Sequence, residues 1–437
     1  MAKTKSLPGL ALRVAAATRL RAVLGGDNLV PLGISEIADS RDRALANRLV
    51  TTALRRHGQL TAIMAQLLEK GMPKKAGSFE AILRISLAQL LFLPEMGDHS
   101  ALFLAVEACK RDPKCQHLAP LMNAVLRRAQ GDAATLRETS PDALFPLWLA
   151  EKWAKLYGDI VPAFAEALLE GAPLDVTLKH DNPVLVELLG GRVISADTVR
   201  VETRDAPVSE LPGYADGRWW VQDAAAAIPA RLFKLAAGAR VLDLCAAPGG
   251  KSAQLVKAGY TVTALDSDAG RLDRLRENFR RLAYVADVVQ ADGTSYVPRQ
   301  AFDGVLLDAP CSATGTFRRH PEVIWHRTPK DVAGRVALQR QFITHAASLV
   351  APGGTLVYCV CSLEPEEGEA QARWIAERAE FEPLPITQEE LPGLGMAVTA
   401  EGWVRTHPGI SLGDSGGNAG TLDGFFIARF RRRRTHR

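Results

Sequence analysis

Short apolar segments alternate with amphipathic helical segments from about residue 238 onward. The predicted strands and helices fall, in chain order, at strand 240–244, helix 250–258, strand 261–265, helix 269–282, strands 285–290 and 303–307, helix 332–350, strand 354–360 and helix 366–378. This alternation predicts an α/β fold with a mostly parallel, doubly wound sheet, closed by a late apolar strand at residues 424–428. Ligands of such sheets bind outside the carboxyl ends of the strands, so residues at those ends are candidate site residues.

The first 130 residues have a helical pattern instead. Leu83, Leu87, Leu90 and Leu91 recur at helical spacing behind Ser78, a possible N-cap. Residues 1–135 contain 19 Lys and Arg but only 11 Asp and Glu, although the whole chain carries a net charge of only +4. This excess predicts a module that binds a polyanion such as RNA, and an ordinary solvated helical surface is the alternative.

The chain of 437 residues is long enough for two or three domains. We predict an all-α RNA-binding domain over residues 1–135, a small α/β connecting and RNA-binding segment over 136–228, and the α/β domain over 229–437. The pair Trp219-Trp220 in the connecting segment suits either base stacking or core packing, and core packing is favoured.

Composition excludes several classes of protein. A hydrophobic fraction of 47% and a charged fraction of 23% are typical of a soluble globular protein. Six cysteines are too few for a disulfide framework, which favours a reducing, cytoplasmic setting, and Cys109 on an apolar stripe is expected in the core. The start at Met1 lacks the pattern of a signal peptide, and no run of about 20 apolar residues predicts a membrane span.

A Gly-rich turn follows the first strand of the α/β region. It comprises Cys245, Ala246, Ala247, Pro248, Gly249, Gly250 and Lys251. Such a turn lets a ligand approach the backbone at a helix N-terminus, but it lacks the G-x-G-x-x-G spacing that holds a pyrophosphate.

Two acidic residues follow the next two strands. Asp266 is placed to hold ribose hydroxyls, and Asp292 is placed to accept from an adenine amino group. Helix capping explains any one such Asp, but less readily all three of Asp243, Asp266 and Asp292 at three successive strand ends. Together with the Gly-rich turn, they predict an adenosine cofactor without a pyrophosphate, and S-adenosylmethionine fits.

Two cysteines lie at the ends of two further predicted strands. Cys311 follows Asp308-Ala309-Pro310, and Cys361 follows Val357-Tyr358-Cys359-Val360. A thiolate that adds to carbon 6 of cytosine makes carbon 5 nucleophilic. Asp308 is placed to hydrogen-bond ring nitrogen 3 if it is protonated or shares a proton. Cys359 and Cys361 share one parity on their strand, so alternation does not separate them, although the strand end favours Cys361. The Cys and His spacing predicts no metal site.

The Asp308–Gly315 and Cys361–Glu367 motifs, together with residues 243–251, resemble those of the RNA (cytosine-5) methyltransferases of the Nop2/Sun family, in particular its RsmB (Sun) type. Residues 10–130 resemble a NusB-like RNA-binding domain, notably at 121–128. The resemblance implies a Rossmann-like class I methyltransferase sheet with helices on both faces, S-adenosylmethionine as cofactor, and small-subunit ribosomal RNA as substrate.

The resemblance also implies roles for individual residues. Cys361 would be the nucleophile, Cys311 would assist release of the methylated base, and Asp266, Asp292 and Asp308 would line the cofactor and target pocket. A non-catalytic RNA-binding factor on the same scaffold and a nucleotide-dependent oxidoreductase are the alternatives. The first is disfavoured by the two intact thiols, and the second by the loop spacing. We further expect a monomer without a metal ion.

Overall fold

A computed structural model describes residues 7–138, 141–202, 206–410, 412 and 421–434. These residues form two compact units. The first comprises residues 1–170 with 320–326, and the second comprises 171–319 with 327–437. The three-domain division drawn from the sequence stays a prediction, and residues 139–140 near its first boundary lie outside the described residues.

The first unit is helical, as the apolar stripes predict. Its helices are α1 (Leu10–Leu24), α2 (Ser40–Arg55), α3 (His57–Leu67), α4 (Phe79–Phe92), α5 (Asp98–Arg111), α6 (Ala119–Gly131), α7 (Ala133–Arg137), α8 (Leu147–Tyr157) and α9 (Val161–Glu170). Nearly every residue of α4 is buried, so α4 forms the centre of this unit and packs against α1, α2, α5 and α6. The hydroxyl of Ser78 donates to Asp112 rather than capping α4.

Cys109 is fully buried in the core of the first unit, as its apolar stripe predicts. The structure also joins it to Cys115 by a disulfide, a pairing that the sequence did not predict.

The second unit begins with a small antiparallel sheet. It contains β1 (Leu174–Leu178), β2 (Gly191–Ser195), β3 (Thr198–Val201) and β4 (Trp219–Val221) in the order β2-β3-β1-β4, with α10 (Pro183–Leu188) after β1 and α11 (Ile228–Arg231) after β4. Trp219 and Trp220 are buried in β4, in agreement with the core interpretation.

The large sheet of the second unit confirms the predicted α/β fold. Its elements are β5 (Arg240–Leu244), α12 (Gly250–Lys257), β6 (Thr261–Asp266), α13 (Ala269–Leu282), β7 (Asp287–Gln290), β8 (Phe302–Asp308), α14 (Pro329–Leu349), β9 (Val350–Val360), α15 (Glu369–Ala376), β10 (Phe381–Pro383), β11 (Val404–Thr406) and β12 (Phe425–Arg432).

The strand order β10-β12-β9-β8-β5-β6-β7 places β5 between β8 and β6. Strands β5 to β9 are parallel, whereas β12 is antiparallel to β9 and pairs with β10 and β11 at the other edge. The chain therefore leaves β5 toward β6 and later returns to β8 on its other side. Such a switch point opens a crevice at the carboxyl ends of β5 and β8.

Element boundaries differ from the predicted ones by a few residues. Helix α14 begins at Pro329 rather than 332 because Thr328 and Asp331 form a capping box and Pro329 occupies the first turn. In the described part of the chain, no helix is long and apolar enough to cross a membrane.

Candidate active site

The Gly-rich turn of residues 245–251 connects β5 to α12 at the switch point. Cys245 has a left-handed backbone (φ 71°), and so does Gly249 (φ 102°). A Cβ on Gly249 would lie 2.8 Å from Cγ of Leu275, so a larger residue would push α13 away. The turn thus brings backbone and the start of α12 to the edge of the crevice.

Asp243 lies beneath this turn, fully buried in β5. It accepts a hydrogen bond from the Ser252 hydroxyl at 2.5 Å, and its Oδ1 has no partner among the described residues. Burial raises the pKa of Asp243 to about 7, against the smaller opposing effect of the Ser252 hydrogen bond. The sequence included Asp243 among the acidic strand ends without assigning it a contact, and the structure places it at the cavity beside the Gly-rich turn.

Asp266 connects the end of β6 to the Gly-rich turn. Its carboxylate accepts from the backbone N–H of Ala247 at 3.2 Å and of Asp268 at 3.1 Å, and it lies 3.3 Å from Nη1 of Arg271. A carboxylate has about four lone-pair positions, so these three donors leave capacity for a ribose hydroxyl. The site therefore fits the predicted adenosine cofactor.

Asp292 is exposed after β7, at the same edge of the sheet. It accepts from the backbone N–H of Thr294 at 2.8 Å and from its hydroxyl at 2.7 Å. These two hydrogen bonds lower the pKa of Asp292, which keeps it an acceptor.

Asp308 at the end of β8 forms an ion pair with Lys251 of the Gly-rich turn. The distance from Nζ to Oδ2 is 2.8 Å. Burial disfavours the charged ammonium, but the attraction of Asp308 and other nearby anionic groups outweighs burial and raises the pKa of Lys251. The sequence placed both residues at the site without predicting their contact, because the contact depends on how β5 and β8 pair.

The structure brings Cys311 and Cys361 together. Their Sγ atoms are 3.4 Å apart although the residues are 50 positions apart in the chain. The hydrogen bond to Cys361, together with burial, raises the pKa of Cys311 well above its usual range. Cys359, in contrast, is fully buried, and its thiol contacts Oδ1 of Asp308 at 3.6 Å. Burial raises the pKa of Cys359 well above its usual range.

A cavity of about 460 Å³ adjoins the Gly-rich turn. The turn and the Lys251–Asp308 pair form one wall, and Trp220, Gln222 and Tyr214 contribute to another. The Trp220 indole donates to Oε1 of Gln222 at 2.8 Å, which fixes both side chains. The volume of this cavity lies within the range of about 300–1,000 Å³ that is usual for small-molecule sites. The sequence missed Gln222 and Tyr214, since neither belongs to a periodic or strand-end pattern.

Within the described residues, no group of three or more His, Cys, Asp and Glu side chains is placed to hold a metal ion.

Comparison with protein families gives two matches. The family described as 16S rRNA methyltransferase RsmB/F matches residues 230–431, and the NusB family matches residues 27–131. Together these matches cover most of both units.

Curated relatives match along nearly the whole chain. Ribosomal RNA small subunit methyltransferase B of Xanthomonas campestris pv. campestris is 36% identical over 421 residues, which cover 90% of this chain and 95% of that protein. The protein of the same name from Xylella fastidiosa is 36% identical over 383 residues, covering 82% and 90%.

Solved structures show the same fold. The crystal structure of PH0851 has a TM-score of 0.72 and 20% sequence identity, with 98% of this chain and 100% of that chain covered. A methyltransferase homolog protein from Pyrococcus horikoshii has a TM-score of 0.52 and 25% identity, with 66% and 95% covered.

Proposed function

Because the chain belongs to the RsmB/F family of 16S rRNA methyltransferases, which use S-adenosylmethionine, we propose that it methylates carbon 5 of a cytosine in small-subunit ribosomal RNA. The observation that carries this proposal is the pair of thiols 3.4 Å apart, which follow the carboxyl ends of β8 and β9. Strand β8 also ends in Asp308, which pairs with Lys251. Methylation of an exocyclic nitrogen or a ribose hydroxyl needs no sulfur nucleophile, whereas carbon 5 of cytosine is unreactive until a nucleophile adds to carbon 6.

The cofactor residues are the turn of 245–251 with Asp266, Asp292 and Asp308. Bound S-adenosylmethionine would supply an electrophilic methyl group on a sulfonium. Asp266 would accept from the ribose hydroxyls and Asp292 from the adenine amino group, while the turn packs its backbone against the ligand.

Cys361 is the nucleophile in this proposal. Hydrogen bonding and burial favour the protonated form of Cys311, and a protonated Cys311 can donate its hydrogen to the sulfur of Cys361. The Cys361 thiolate forms the bond to carbon 6, and the electron pair of the ring double bond becomes available at carbon 5. The ammonium of Lys251, which shares a hydrogen with Asp308 in their ion pair, supplies the positive charge that offsets negative charge developing on ring nitrogen 3.

Cys311 assists the release. After methylation, a base takes the proton from carbon 5, its electron pair re-forms the ring double bond, and the sulfur of Cys361 departs. Cys311 contacts the departing sulfur, so it is positioned to give that sulfur a proton.

Trapping of the covalent adduct tests the assignment. Cys361→Ser should abolish methylation and form no adduct, because a hydroxyl at neutral pH is a far weaker nucleophile than a thiolate. Cys311→Ala should still attack the base but stall, and so accumulate a protein–RNA complex that survives denaturing electrophoresis.

The matched control is Cys359→Ser on the same strand. It should neither abolish methylation nor trap RNA. If the adduct persists without Cys361 and disappears in Cys359→Ser, then Cys359 is the nucleophile. Normal methylation in all three variants without any adduct would exclude covalent catalysis.

A further inference from the structure

Glu367 is a buried acidic side chain that the mechanism above does not use. It lies between β9 and α15, six residues after Cys361, and is fully inaccessible to solvent. Burial raises its pKa above the usual range, against the opposing effect of several hydrogen bonds. A carboxyl group in such a place is costly unless it is fully hydrogen-bonded, so its partners indicate what it stabilises.

Four donors surround the carboxyl group of Glu367. Its Oε1 accepts from the backbone N–H of Ser312 at 2.8 Å and from Nε2 of Gln339 at 3.0 Å. Its Oε2 accepts from the hydroxyls of Ser312 and Ser362, each at 2.5 Å. These two hydroxyls also contact each other at 3.1 Å.

The two serines directly follow the two cysteines. Ser312 is the residue after Cys311, and Ser362 is the residue after Cys361. One side chain therefore binds both chain segments that carry the thiols, one residue away from each sulfur-bearing residue. We call Glu367, Ser312 and Ser362 the serine–Glu367 clamp. The Sγ atoms of the two cysteines next to this clamp are 3.4 Å apart.

Further contacts fix the clamp itself. The Tyr358 hydroxyl donates to the backbone oxygen of Glu367 at 2.6 Å, and Nε2 of Gln339 also donates to the backbone oxygen of Pro310 at 3.1 Å. Glu367 is thus held from β9 and from α14 while it holds the two thiol segments. Such a rigid arrangement is what placement of two reacting groups requires.

We propose that Glu367 is a positioning residue that sets the separation of Cys311 and Cys361, and thereby couples attack by one thiol to release assisted by the other. The roles of the two thiols rest on the proposed function, but the separation of their sulfur atoms does not.

An amide at position 367 distinguishes hydrogen bonding from charge. The oxygen of Gln can accept from the Ser312 N–H and from Gln339, and its NH₂ group can donate to the two serine hydroxyls, which rotate to accept. Glu367→Gln therefore preserves the clamp without the carboxylate, whereas Glu367→Ala removes it.

Cross-linking of the full-length protein measures the separation without RNA. Diamide takes two electrons and two protons from two thiols, which form one disulfide, and peptide mass spectrometry quantifies the Cys311–Cys361 bond. We expect rapid formation in the wild type, at least tenfold slower formation in Glu367→Ala, and a rate within threefold of wild type in Glu367→Gln. The exposed neighbour Glu366→Ala is the control and should not change the rate.

Methylation kinetics measure the consequence. Glu367→Ala should lower kcat about 100-fold while KM for RNA stays within twofold. The reason is that misplacement of reacting groups by about 1 Å lowers the reaction rate about 100-fold. Glu367→Gln should recover most of kcat. A folded Glu367→Ala variant with wild-type cross-linking overturns the proposal, and so does a Glu367→Gln variant as deficient as Glu367→Ala in both assays.

The two assays also separate this inference from the proposed function. If cross-linking follows the expected order but the wild type does not methylate cytosine at carbon 5, the proposed function fails and the clamp stands. Should Glu367→Ala not fold, Ser362→Ala removes one hydrogen bond of the same clamp. An unchanged cross-linking rate in Ser362→Ala would then overturn the proposal.

Discussion

The carboxylate of Asp266 has both a structural contact and a capacity for ligand. It accepts from the Ala247 N–H of the Gly-rich turn and retains room for a further donor. It is nearly fully buried, at 2% exposure, so a hydrogen bond from a ribose hydroxyl would form out of bulk water. Bonds of this charge-assisted kind are stronger than those between neutral groups.

Asp266→Ala should therefore weaken S-adenosylmethionine binding. Loss of a hydrogen bond to a charged group costs about 1.5–3 kcal/mol, which corresponds to roughly a 10- to 150-fold increase in Kd. Isothermal titration calorimetry measures the Kd for S-adenosylmethionine. The control is Asp273→Ala, at an exposed position of α13. Equal affinity in the two variants would remove Asp266 from the cofactor site.

Asp243 makes stability depend on pH. Its pKa of about 7 in the folded protein is above the value of 3.8 expected in the unfolded chain, so the folded state binds the proton more tightly. Stability contributed by this proton is fully present below about pH 4 and is lost as pH rises toward 7, by up to about 1.4 kcal/mol per pH unit.

Asp243→Asn should remove this dependence. The free energy of unfolding of the variant minus that of the wild type should rise between pH 4 and pH 7 and level off above pH 7. Urea titrations at a series of pH values measure this difference in the free energy of unfolding. The control is Asp287→Asn, at an exposed position of β7, for which the difference should not change with pH. A flat difference for Asp243→Asn as well would mean that Asp243 is ionised throughout that range.

Sequence periodicity predicted the main strands of the large sheet, β5 to β9 and β12, but only β1 of the small sheet, as a strand around residues 176–179. Strands β5, β6, β8 and β9 are short apolar runs, and the structure places them within a few residues of the prediction. Strands β2 and β3 were not predicted because charged side chains interrupt their apolar pattern. Arg200 in β3, for example, is buried and pairs with Asp175 of β1 at 2.8 Å. A pairing of that kind depends on the register between strands, which a single sequence does not reveal.

The same limit applies to the site. Strand-end positions indicated the acidic residues and the two thiols as candidates, since topology alone brings strand ends together. The Lys251–Asp308 contact and the serine–Glu367 clamp depend on how side chains meet across elements, and no spacing along the chain predicts them.

A buried charge cluster joins three segments of the second unit. Arg318, after the thiol-bearing loop, has no exposed surface and contacts Asp223 at 3.1 Å and Asp423 at 2.7 Å. Asp223 follows β4 and Asp423 precedes β12, so the cluster connects the small sheet, the segment after Cys311 and the antiparallel part of the large sheet.

Arg318→Met should destabilise the protein by about 3 kcal/mol, because it leaves two buried carboxylates with fewer partners. Arg276→Met is the control: Arg276 pairs with Asp273 on the exposed side of α13 and should change stability by less than about 1 kcal/mol. The shift in the urea unfolding midpoint measures the change in stability of both variants. Equal shifts would mean that the neighbouring Arg319 is sufficient for the cluster.

At the scale of the whole molecule, charge and chemistry are divided between the two units. The thiols, the Gly-rich turn and the acidic strand ends all belong to the second unit. Residues 1–135 carry an excess of eight positive charges. In the first unit Lys74, Lys75 and Lys114 are exposed, and none of them forms an ion pair within the described residues. Solvated cations of this kind are available to RNA phosphates at no cost of breaking an existing pair.

Replacement of Lys74, Lys75 and Lys114 by Gln should therefore weaken binding of ribosomal RNA and leave the Kd for S-adenosylmethionine unchanged. If each lysine meets one phosphate, the slope of log K against log salt concentration should fall by about 2–3, and affinity should drop most at low salt. The charge-matched control is the replacement by Gln of Arg218, Arg276 and Arg431, each of which already contacts a carboxylate in the second unit. Fluorescence anisotropy over a salt series gives both slopes. A lysine variant with the wild-type slope would assign the positive charge of the first unit to solvation and place the RNA contacts elsewhere.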